Sequence, residues 1–238
     1  MEVLNSQSAR GDEAKMTPQS LMIQTALSNE TTDGRRARRE RGRLAVSDAV
    51  IDLVFEGNTD PTSEQVAKRA GVSVASLFRY FETLKELRQE TLHRYFKRYD
   101  HLFQLPDITE STLEHRTQVL VDRRAKLYET TEPMCRQARR RAPDVPDLDE
   151  ELRSTRAMQA DQIRQCFACE LEALSPSASD DLVATINTLT SFESWDQIAH
   201  DHNRTPQQVR RTWTTALHQL LQPLESSNTG SATEMVQQ

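Results

Sequence analysis

The sequence predicts an all-α protein in which a small N-terminal helical domain is joined by a long helix to a larger helical domain. Three observations support this fold class. Apolar residues recur at helical spacing over most of the chain, and no stretch alternates convincingly between apolar and polar residues at period two. Glycine also totals only 6 of 238 residues. We therefore expect essentially no β-sheet.

The first predicted helix runs from about Arg35 to Glu56 and ends at Gly57-Asn58. Residues 1–34 are rich in Ser, Thr, Asn and Gln, and we expect them to form a disordered tail. The inner face of the helix is an apolar stripe at helical spacing, formed by Val46, Ala49, Val50, Leu53 and Val54.

Two short helices joined by a tight turn are predicted between Thr62 and Phe81. Thr62 and Gln65 have the spacing of a capping box, which satisfies two backbone donors at a helix start. Gly71 suits a turn with positive φ, and Ser73 caps the second helix. This pattern is typical of a DNA-reading helix-turn-helix, whose second helix lies in the major groove. An ordinary helical hairpin in a bundle core is the alternative.

The outward side of the second short helix is small, aromatic and basic. Leu77 and Phe81 are four residues apart and face inward, which leaves Ala75, Ser76, Arg79 and Tyr80 facing out. Arg79 is the best candidate for a base contact, because arginine pairs with O6 and N7 of guanine in the major groove. A phosphate contact is the alternative for Arg79, and packing against the sugar backbone or the protein is the alternative for Tyr80.

An arginine-rich run precedes the predicted helix-turn-helix and is opposed only by Glu40. Such a run is usually a solvated face, but here it leads into the predicted helix-turn-helix, where it can neutralise DNA phosphates or enter a minor groove. Charge distribution agrees: residues 35–103 hold 14 Lys and Arg against 10 Asp and Glu, a net of +4. The whole chain carries −6, so the remainder carries −10. The run contains Arg35, Arg36, Arg38, Arg39, Arg41 and Arg43.

The rest of the chain continues in helices. Thr83 and Glu86 form a second capping-box pattern, which predicts a long helix that ends at about Phe103. The last stretch, residues 225–238, is polar and predicted to be a disordered tail. Five further helices are predicted at about Thr112 to Glu129, Pro133 to Arg141, Leu148 to Leu174, Ala178 to Phe192 and Thr205 to Leu221.

An effector pocket is expected among the middle helices, where an apolar wall would carry a few polar groups. Methionine gives such walls adaptability. Plain core packing explains each candidate at least as well. The candidate lining residues are Phe96, Phe103, Leu127, Met134, Met158 and Phe167.

Metal and redox chemistry have weak signals. Cys166 and Cys169 have zinc or redox spacing, but no second cysteine pair or nearby histidine completes a site. A core or interface position is the favoured interpretation, with a thiol-based redox sensor as the alternative. His200 and His202 lie on an expected loop and are interpreted as solvated.

Catalysis and membrane insertion have no support in the sequence. There is no catalytic Ser/His/Asp order, no phosphate-binding glycine loop and no metal-ligand set, so we expect neither an enzyme nor a cofactor. No apolar run approaches the roughly 18 residues that cross a bilayer. Three cysteines fit a reducing compartment, so a cytoplasmic location is expected.

From Arg35 to about Asp100 the chain resembles the DNA-binding domain of TetR-family transcriptional regulators, through VAKRAGVSVASLFRYF and the following ETLKEL. The C-terminal SFESWDQIAHDHNRTPQQVRRTWTTALHQLL resembles the ends of actinobacterial members. The resemblance implies a homodimeric repressor that a small-molecule effector releases from a double-stranded DNA operator. It also implies a DNA-binding domain at 35–100 and a domain for effector binding and dimerisation at 101–224, with the last two helices pairing across the dimer.

The resemblance assigns roles to individual residues. Thr62 matches a threonine that meets a phosphate, Ser76 a Ser or Thr of the reading helix, and Tyr80 a Tyr or His that reaches the DNA backbone. The full set of predicted DNA-binding residues is Arg39, Arg41, Arg43, Thr62, Ser73, Val74, Ala75, Ser76, Phe78, Arg79, Tyr80 and Lys85.

Three positions depart from the family pattern. Phe78 replaces the usual tyrosine, and Leu84 replaces a phosphate-binding lysine that Lys85 follows one place later. Val74 replaces a residue that is often polar or basic. These departures motivate an alternative function, a helical ligand-binding protein whose DNA-reading head has decayed.

Overall fold

The computed structural model describes residues 18–222, with side chains described from position 34 onward. Within that range the chain is helical and contains no strand, which confirms the predicted fold class. The ten α-helices are α1 (Pro18–Phe55), α2 (Ser63–Ala70), α3 (Val74–Tyr80), α4 (Leu84–Phe103), α5 (Leu113–Arg141), α6 (Pro146–Cys166), α7 (Ala168–Glu172), α8 (Pro176–Leu189), α9 (Phe192–Asp196) and α10 (Pro206–Leu221).

The N-terminal helix is longer than predicted. It begins at Pro18, whereas the sequence predicted a disordered tail up to residue 34. Between Pro18 and Gly34 the chain has neither proline nor glycine, so nothing stops a helix that is anchored by the packed residues further on. Residues 1–17 and the predicted C-terminal tail at 225–238 lie outside the described part of the chain.

Helices α1, α2 and α3 form a small head around their own apolar cluster. The cluster joins residues predicted to face inward on α1 with Leu77, which is 2% exposed, and Phe81. Small side chains on α2 let the helices approach closely. The buried members are Val46, Ala49, Val66, Ala67, Leu77 and Phe81.

Helix α4 connects this head to the remaining helices. Its N-terminal cap is Thr83, whose side chain accepts a hydrogen bond from the Glu86 backbone, as the sequence predicted. Two ion pairs hold α4 along α1: Arg94 with Asp48, at 2.8 Å, and Arg98 with Asp52, at 2.9 Å. A separate cluster of Ile51, Val54, Tyr95 and Met134 joins α1, α4 and α5.

Helices α5 to α10 form a larger body. Its core is the main apolar cluster of the molecule, and Trp213 on α10 lies fully buried within it. Tyr128 on α5 packs edge-on against Phe192, with ring centroids 5.6 Å apart, and close to Trp195. The two tryptophans are therefore core residues that tie α9 and α10 to α5.

Several helix boundaries in the body differ from the sequence prediction. Pro133 lies inside the continuous helix α5, although the sequence predicted a break there. A proline in a helix costs roughly 3 kcal/mol; the helix is packed on both sides of Pro133, where Thr131 and Met134 are buried. The helix predicted over Leu148 to Leu174 is instead interrupted at Phe167, between α6 and α7.

The region after α8 also differs. The helix predicted to reach Phe192 ends at Leu189, and Ser191 caps the separate helix α9. A π-helical turn over Gln197–Asp201 follows α9. The predicted start of the last helix is confirmed, because Thr205 and Gln208 make both bonds of a capping box. Among the described helices, none is long and apolar enough to cross a membrane.

Candidate nucleic-acid interface and effector cavity

The turn between α2 and α3 has the geometry that the sequence predicted. Thr62 Oγ1 accepts from the Gln65 backbone at 3.3 Å, and Gln65 Oε1 accepts from the Thr62 backbone at 2.8 Å. Gly71 has φ of 68°, in the left-handed region that glycine adopts without strain. Its backbone N–H closes the end of α2. The capping box and the turn together fix the direction in which α3 leaves α2.

A chain of hydrogen bonds runs along the exposed side of α3. Ser73 Oγ accepts from the Ser76 backbone at 3.1 Å and lies 3.0 Å from Ser76 Oγ. Arg79 Nη2 donates to the same Ser76 oxygen at 3.0 Å. The guanidinium of Arg79 is exposed and uses one of its five N–H groups in this bond. It is thus positioned on the outer face of α3 with donors left for a ligand.

The outer face of α3 also carries small and apolar side chains. Ala75 is exposed, and Phe78 is 55% exposed, which is unusual for a phenylalanine in water. Val74, also predicted to contact DNA, is half-buried and packs against the head cluster. A helix end with Ala75, Phe78 and Arg79 exposed fits a groove that offers thymine methyl groups and guanine acceptors.

Tyr80 is held against α1. Its ring lies directly over Gly42: a Cβ placed on that glycine would be 2.5 Å from Tyr80 Cζ and 2.7 Å from the hydroxyl oxygen. Tyr80 is half-buried in consequence, and the Arg79 guanidinium carbon lies 5.9 Å from its ring centroid. The absence of a side chain at Gly42 therefore determines where Tyr80 sits.

Arg43 has a different role from the one predicted. Its guanidinium donates to the carbonyl oxygen of Tyr80 at 2.7 Å and to Glu86 at 2.5 Å, and it reaches Glu90 at 3.3 Å. It also lies 4.5 Å above the ring of Phe81. Only 15% of its side chain is exposed. Arg43 therefore joins α1, the end of α3 and α4, and its guanidinium is not exposed to solvent as those of Arg39 and Arg41 are.

Glu86, the carboxylate partner of Arg43, makes a different hydrogen bond at the start of α4 from the one that the capping-box spacing predicted. Glu86 does not return a bond to the Thr83 backbone; its Oε2 accepts from the Glu82 backbone at 2.8 Å. Hydrogen bonds from Arg43 and from that backbone N–H lower the pKa of Glu86. The carboxylate is therefore held ionised between the head and α4.

The remaining predicted cationic contacts lie on two surfaces. Arg39 and Arg41 are exposed on α1, as are Arg35, Arg36 and Arg38. Lys85, at the start of α4, is exposed but forms an ion pair with Asp147 of α6 at 3.0 Å. Lys85 thus bridges the head side of α4 to the body.

The predicted effector pocket is only partly assembled. Phe96, Phe103, Leu127 and Met134 line one cavity between α4, α5 and α6, of about 60 Å³. This is small beside pockets for drug-sized ligands, which span about 300–1,000 Å³. Its polar lining includes Gln159, whose amide donates to the Tyr128 hydroxyl at 3.3 Å, together with Arg139, Glu151, Thr155 and Arg156.

The two other predicted pocket residues lie elsewhere. Phe167 is fully buried in the body core, at the break between α6 and α7, and Met158 is 37% exposed on α6. Neither lines the cavity that the other four share. The helical spacing of α6 alone did not reveal which of its sides faces α4.

The cysteine and histidine candidates occupy structural positions. Cys166 is buried at the end of α6, and that burial raises the pKa of its thiol to about 11. Cys169 is exposed on α7. His200 is exposed, as predicted, but it lies on the π-helical turn and not in a loop; its ring is 5.6 Å from that of Trp195 and its Nε2 is 3.2 Å from Glu132.

Glu132, Asp196 and His200 bring three possible metal ligands together. The guanidinium of Arg136 already lies between the two carboxylates, with Nε 2.9 Å from Glu132 and an ion pair to Asp196. A protein cation therefore already occupies the space between the two carboxylates and offsets one of their two negative charges.

The fold is shared with solved bacterial regulators. A tetR-family transcriptional regulator from Streptomyces coelicolor matches with a TM-score of 0.60 at 20% identity, over 76% of this chain and 79% of its own. A proposed transcriptional regulator from Streptomyces coelicolor A3(2) gives 0.55 at 16%, over 77% and 99%. A transcriptional regulator from Rhodococcus sp. Rha1 gives 0.55 at 18%, over 77% and 96%.

No family model and no curated protein sequence matches the chain. At identities of 16–20% the structural likeness establishes the fold. The chain therefore has the all-helical fold of a TetR-family regulator.

Proposed function

We propose that the protein is a sequence-specific, DNA-binding transcriptional regulator of the TetR family, and that it represses transcription until a small-molecule effector releases it from its operator. The observation that carries this proposal is the outer face of α3. There Arg79 is held by Ser76 at 3.0 Å on a helix whose start is capped by Ser73. A short, capped helix with an exposed, oriented guanidinium is the form in which proteins read the major groove.

Cationic residues around α3 support the proposal. Arg39 and Arg41 are exposed on α1, the helix against which α3 packs. The N-terminus of α2, capped by Thr62, offers backbone donors and a positive dipole end to a phosphate. These contacts would position the head on duplex DNA, while Arg79 supplies sequence preference.

We also propose that the protein acts as a homodimer through α8 and α10. The exposed sides of these helices carry small residues, Ala184 and Thr188 on α8 with Thr212 and Thr215 on α10, which let helices of a second copy approach closely. A two-fold dimer would present two α3 helices to successive major grooves of a near-palindromic operator.

Ala184→Arg tests this dimer. The variant should sediment as a monomer and lose operator affinity, because a long cation replaces a methyl group at the proposed contact. Ala157→Arg, an exposed alanine on α6, is the matched control and should remain dimeric. A dimer that survives Ala184→Arg would place the interface elsewhere.

Thermodynamic linkage sets a requirement for release by an effector. An effector that removes the protein from DNA must bind the DNA-free conformation more tightly than the DNA-bound one. In a dimer, a change in the distance between the two α3 helices is sufficient, because both must fit the same operator.

Fluorescence anisotropy with the protein's own upstream DNA tests the central proposal. Wild-type protein should bind this fragment more tightly than a scrambled one, with affinity that falls as salt rises. Arg79→Ala should reduce the preference by at least tenfold, whereas Arg123→Ala, an exposed arginine on α5, should not. A protein that shows no preference for any promoter fragment would instead support the ligand-binding alternative.

The thiol-based alternative has less support. A thiolate is the reactive form of cysteine, and burial that raises the pKa of Cys166 to about 11 keeps this residue protonated at neutral pH. If Cys166→Ser and Cys169→Ser abolished a response of DNA binding to oxidant, that alternative would regain weight.

A further inference from the structure

A cleft that the sequence did not indicate lies between head and body. It has a volume of about 250 Å³, against about 60 Å³ for the cavity among α4, α5 and α6. We call it the junction cleft. Its apolar wall includes Val54 and Leu77 of the head, Leu84 and Leu87 of α4, and Ala138 and Leu148 of the body. The space approaches the roughly 300 Å³ at which pockets for small ligands begin.

Charge in the junction cleft is unbalanced. Asp60 pairs with Arg141 at 2.9 Å, and Asp147 pairs with Lys85 at 3.0 Å. Arg88, on α4, is the remaining charged side chain of the wall. It is half-buried, and it has neither an ion pair nor a hydrogen bond to any residue that the structure describes.

A half-buried guanidinium beside an apolar wall favours a particular kind of ligand. Arginine presents a planar fork of donors that matches a carboxylate with two hydrogen bonds. The aliphatic side chains beside it can take apolar groups out of water. Neither Asp60 nor Asp147 offsets Arg88, because each already has its own partner.

We propose that the junction cleft binds a small apolar molecule that carries one carboxylate. The carboxylate pairs with Arg88, and the apolar part lies between Leu84, Leu87 and Leu148. This site adjoins the cavity that contains Phe96, Phe103 and Leu127. The two share the wall formed by Leu92, Met134, Ala138 and Leu148. It is defined by residues from both the head and the body, so its occupant touches both.

The position of the site gives its ligand a direct effect on the head. The two ion pairs that flank the cleft, Asp60 with Arg141 and Lys85 with Asp147, both connect the head side to the body. A ligand between them would set the angle at which α3 is presented. This regulatory consequence rests on the proposed DNA binding, whereas the binding site itself does not.

Calorimetric titration of the DNA-free, full-length protein with octanoate tests the site. Octanoate should bind once per chain, and octanol, which has the same chain without the charge, at least tenfold more weakly. Arg88→Gln should weaken octanoate binding at least tenfold and leave octanol nearly unchanged. Arg123→Gln, on the exposed side of α5, is the matched control and should bind like wild type.

A second pair of variants places the ligand in the cleft. Leu84 and Arg88 are four residues apart on α4, so Leu84→Glu supplies an internal carboxylate for Arg88. It should weaken octanoate binding at least fivefold, while Leu84→Gln should have a smaller effect. Leu84 is 61% exposed, so both variants should fold.

Two results would overturn the proposal: no octanoate binding to wild type, or equal binding to wild type, Arg88→Gln and Leu84→Glu. Neither depends on DNA. If octanoate binds as expected but no DNA fragment is recognised, the site stands and the proposed function fails. If DNA is recognised and octanoate does not bind, the reverse holds.

Discussion

The ring of Tyr80 occupies the space that a side chain at Gly42 would fill. A Cβ at position 42 would lie 2.5 Å from Tyr80 Cζ, which real structures do not tolerate. Glycine in the middle of a helix costs roughly 1 kcal/mol relative to alanine. The atoms that such a Cβ would meet belong to the far end of the Tyr80 side chain. Glycine at position 42 therefore allows Tyr80 to lie against α1, and it does not stabilise the helix.

Gly42→Ala should therefore separate stability from DNA binding. We expect the free energy of unfolding to rise by up to about 1 kcal/mol, since alanine favours helix. We expect affinity for the upstream DNA to fall about three- to tenfold, since Tyr80 must swing away from its place beside α3. Urea unfolding and fluorescence anisotropy measure the two effects.

Gly34→Ala is the matched control on the same helix. A Cβ at Gly34 meets no atom within 4 Å, so it should gain helix stability without moving Tyr80. DNA affinity should stay at the wild-type value. Equal loss of affinity in both alanine variants would show that the position of Tyr80 does not matter for binding.

Arg43 and Arg41 should behave oppositely although both belong to the arginine run. Arg43→Ala leaves the Tyr80 carbonyl without its partner and should lower the free energy of unfolding by about 2 kcal/mol. Arg41→Ala should leave stability within about 0.5 kcal/mol and reduce the salt dependence of DNA binding by about one unit of slope.

Thermal unfolding and salt titrations of both arginine variants provide the measurement. If Arg43 is a structural residue, Arg43→Ala should weaken DNA binding only because the head is disturbed. The comparison is made at a temperature at which this variant is folded. If Arg43→Ala were as stable as wild type and lost one unit of salt slope, Arg43 would be a phosphate contact.

The two short helices and the turn between them could be predicted, because the residues that determine their ends are close together in the sequence. The capping box of Thr62 and Gln65, the positive φ of Gly71 and the cap at Ser73 each depend on residues within a few positions. Such bonds need only neighbouring residues, and here they form as predicted. The same holds for the start of α10 at Thr205. At Thr83 the reciprocal bond does not form, because the Glu86 carboxylate accepts from Arg43 and from the Glu82 backbone instead.

The inward position of Arg43 could not be predicted, because it depends on distant parts of the chain. Nothing in the run of arginines distinguishes Arg43 from Arg41; the difference is that α3 and α4 pack on one side of α1 and place Glu86 and Phe81 there. The junction cleft was missed for the same reason. Its walls come from the head, α4 and α5–α6, which are far apart in sequence.

Asp147→Asn should strengthen DNA binding. Lys85 is the predicted phosphate contact on α4, and Asp147 holds its ammonium at 3.0 Å. An exposed pair of this kind contributes about 0.2–1 kcal/mol, so release of Lys85 should raise affinity by up to about fivefold. Stability should fall by less than about 1 kcal/mol, as measured by urea unfolding.

Asp149→Asn is the control for Asp147→Asn. Asp149 lies two residues further on α6 and pairs with Arg153 at 2.5 Å, away from Lys85. DNA affinity should be unaffected there. In Lys85→Ala protein, Asp147→Asn should no longer increase affinity; an increase that persists would mean that Asp147 acts through the long-range field instead of through Lys85.

Glu193 on α9 should make the body sensitive to acid. Burial by itself would raise the pKa of Glu193, but hydrogen bonds from Arg139 and Arg156 and the charge of Arg139 lower it from 4.5 to about 2. The nitrogen–oxygen distances are 2.9 Å and 2.8 Å. Because the folded-state pKa is depressed, the ion pairs stabilise the protein above about pH 4.5 and progressively less as pH falls toward 2.

Glu193→Gln should therefore lower the free energy of unfolding at pH 7 by about 1 kcal/mol, a value reduced for solvent screening because the side chain is 48% exposed. Urea unfolding at pH 7, 5 and 3 measures the difference from wild type, which should shrink between pH 5 and pH 3. Glu110→Gln, an exposed loop residue, should match wild type throughout. A difference for Glu193→Gln that stays constant down to pH 3 would show that packing, and not the ionised carboxylate between Arg139 and Arg156, accounts for the effect.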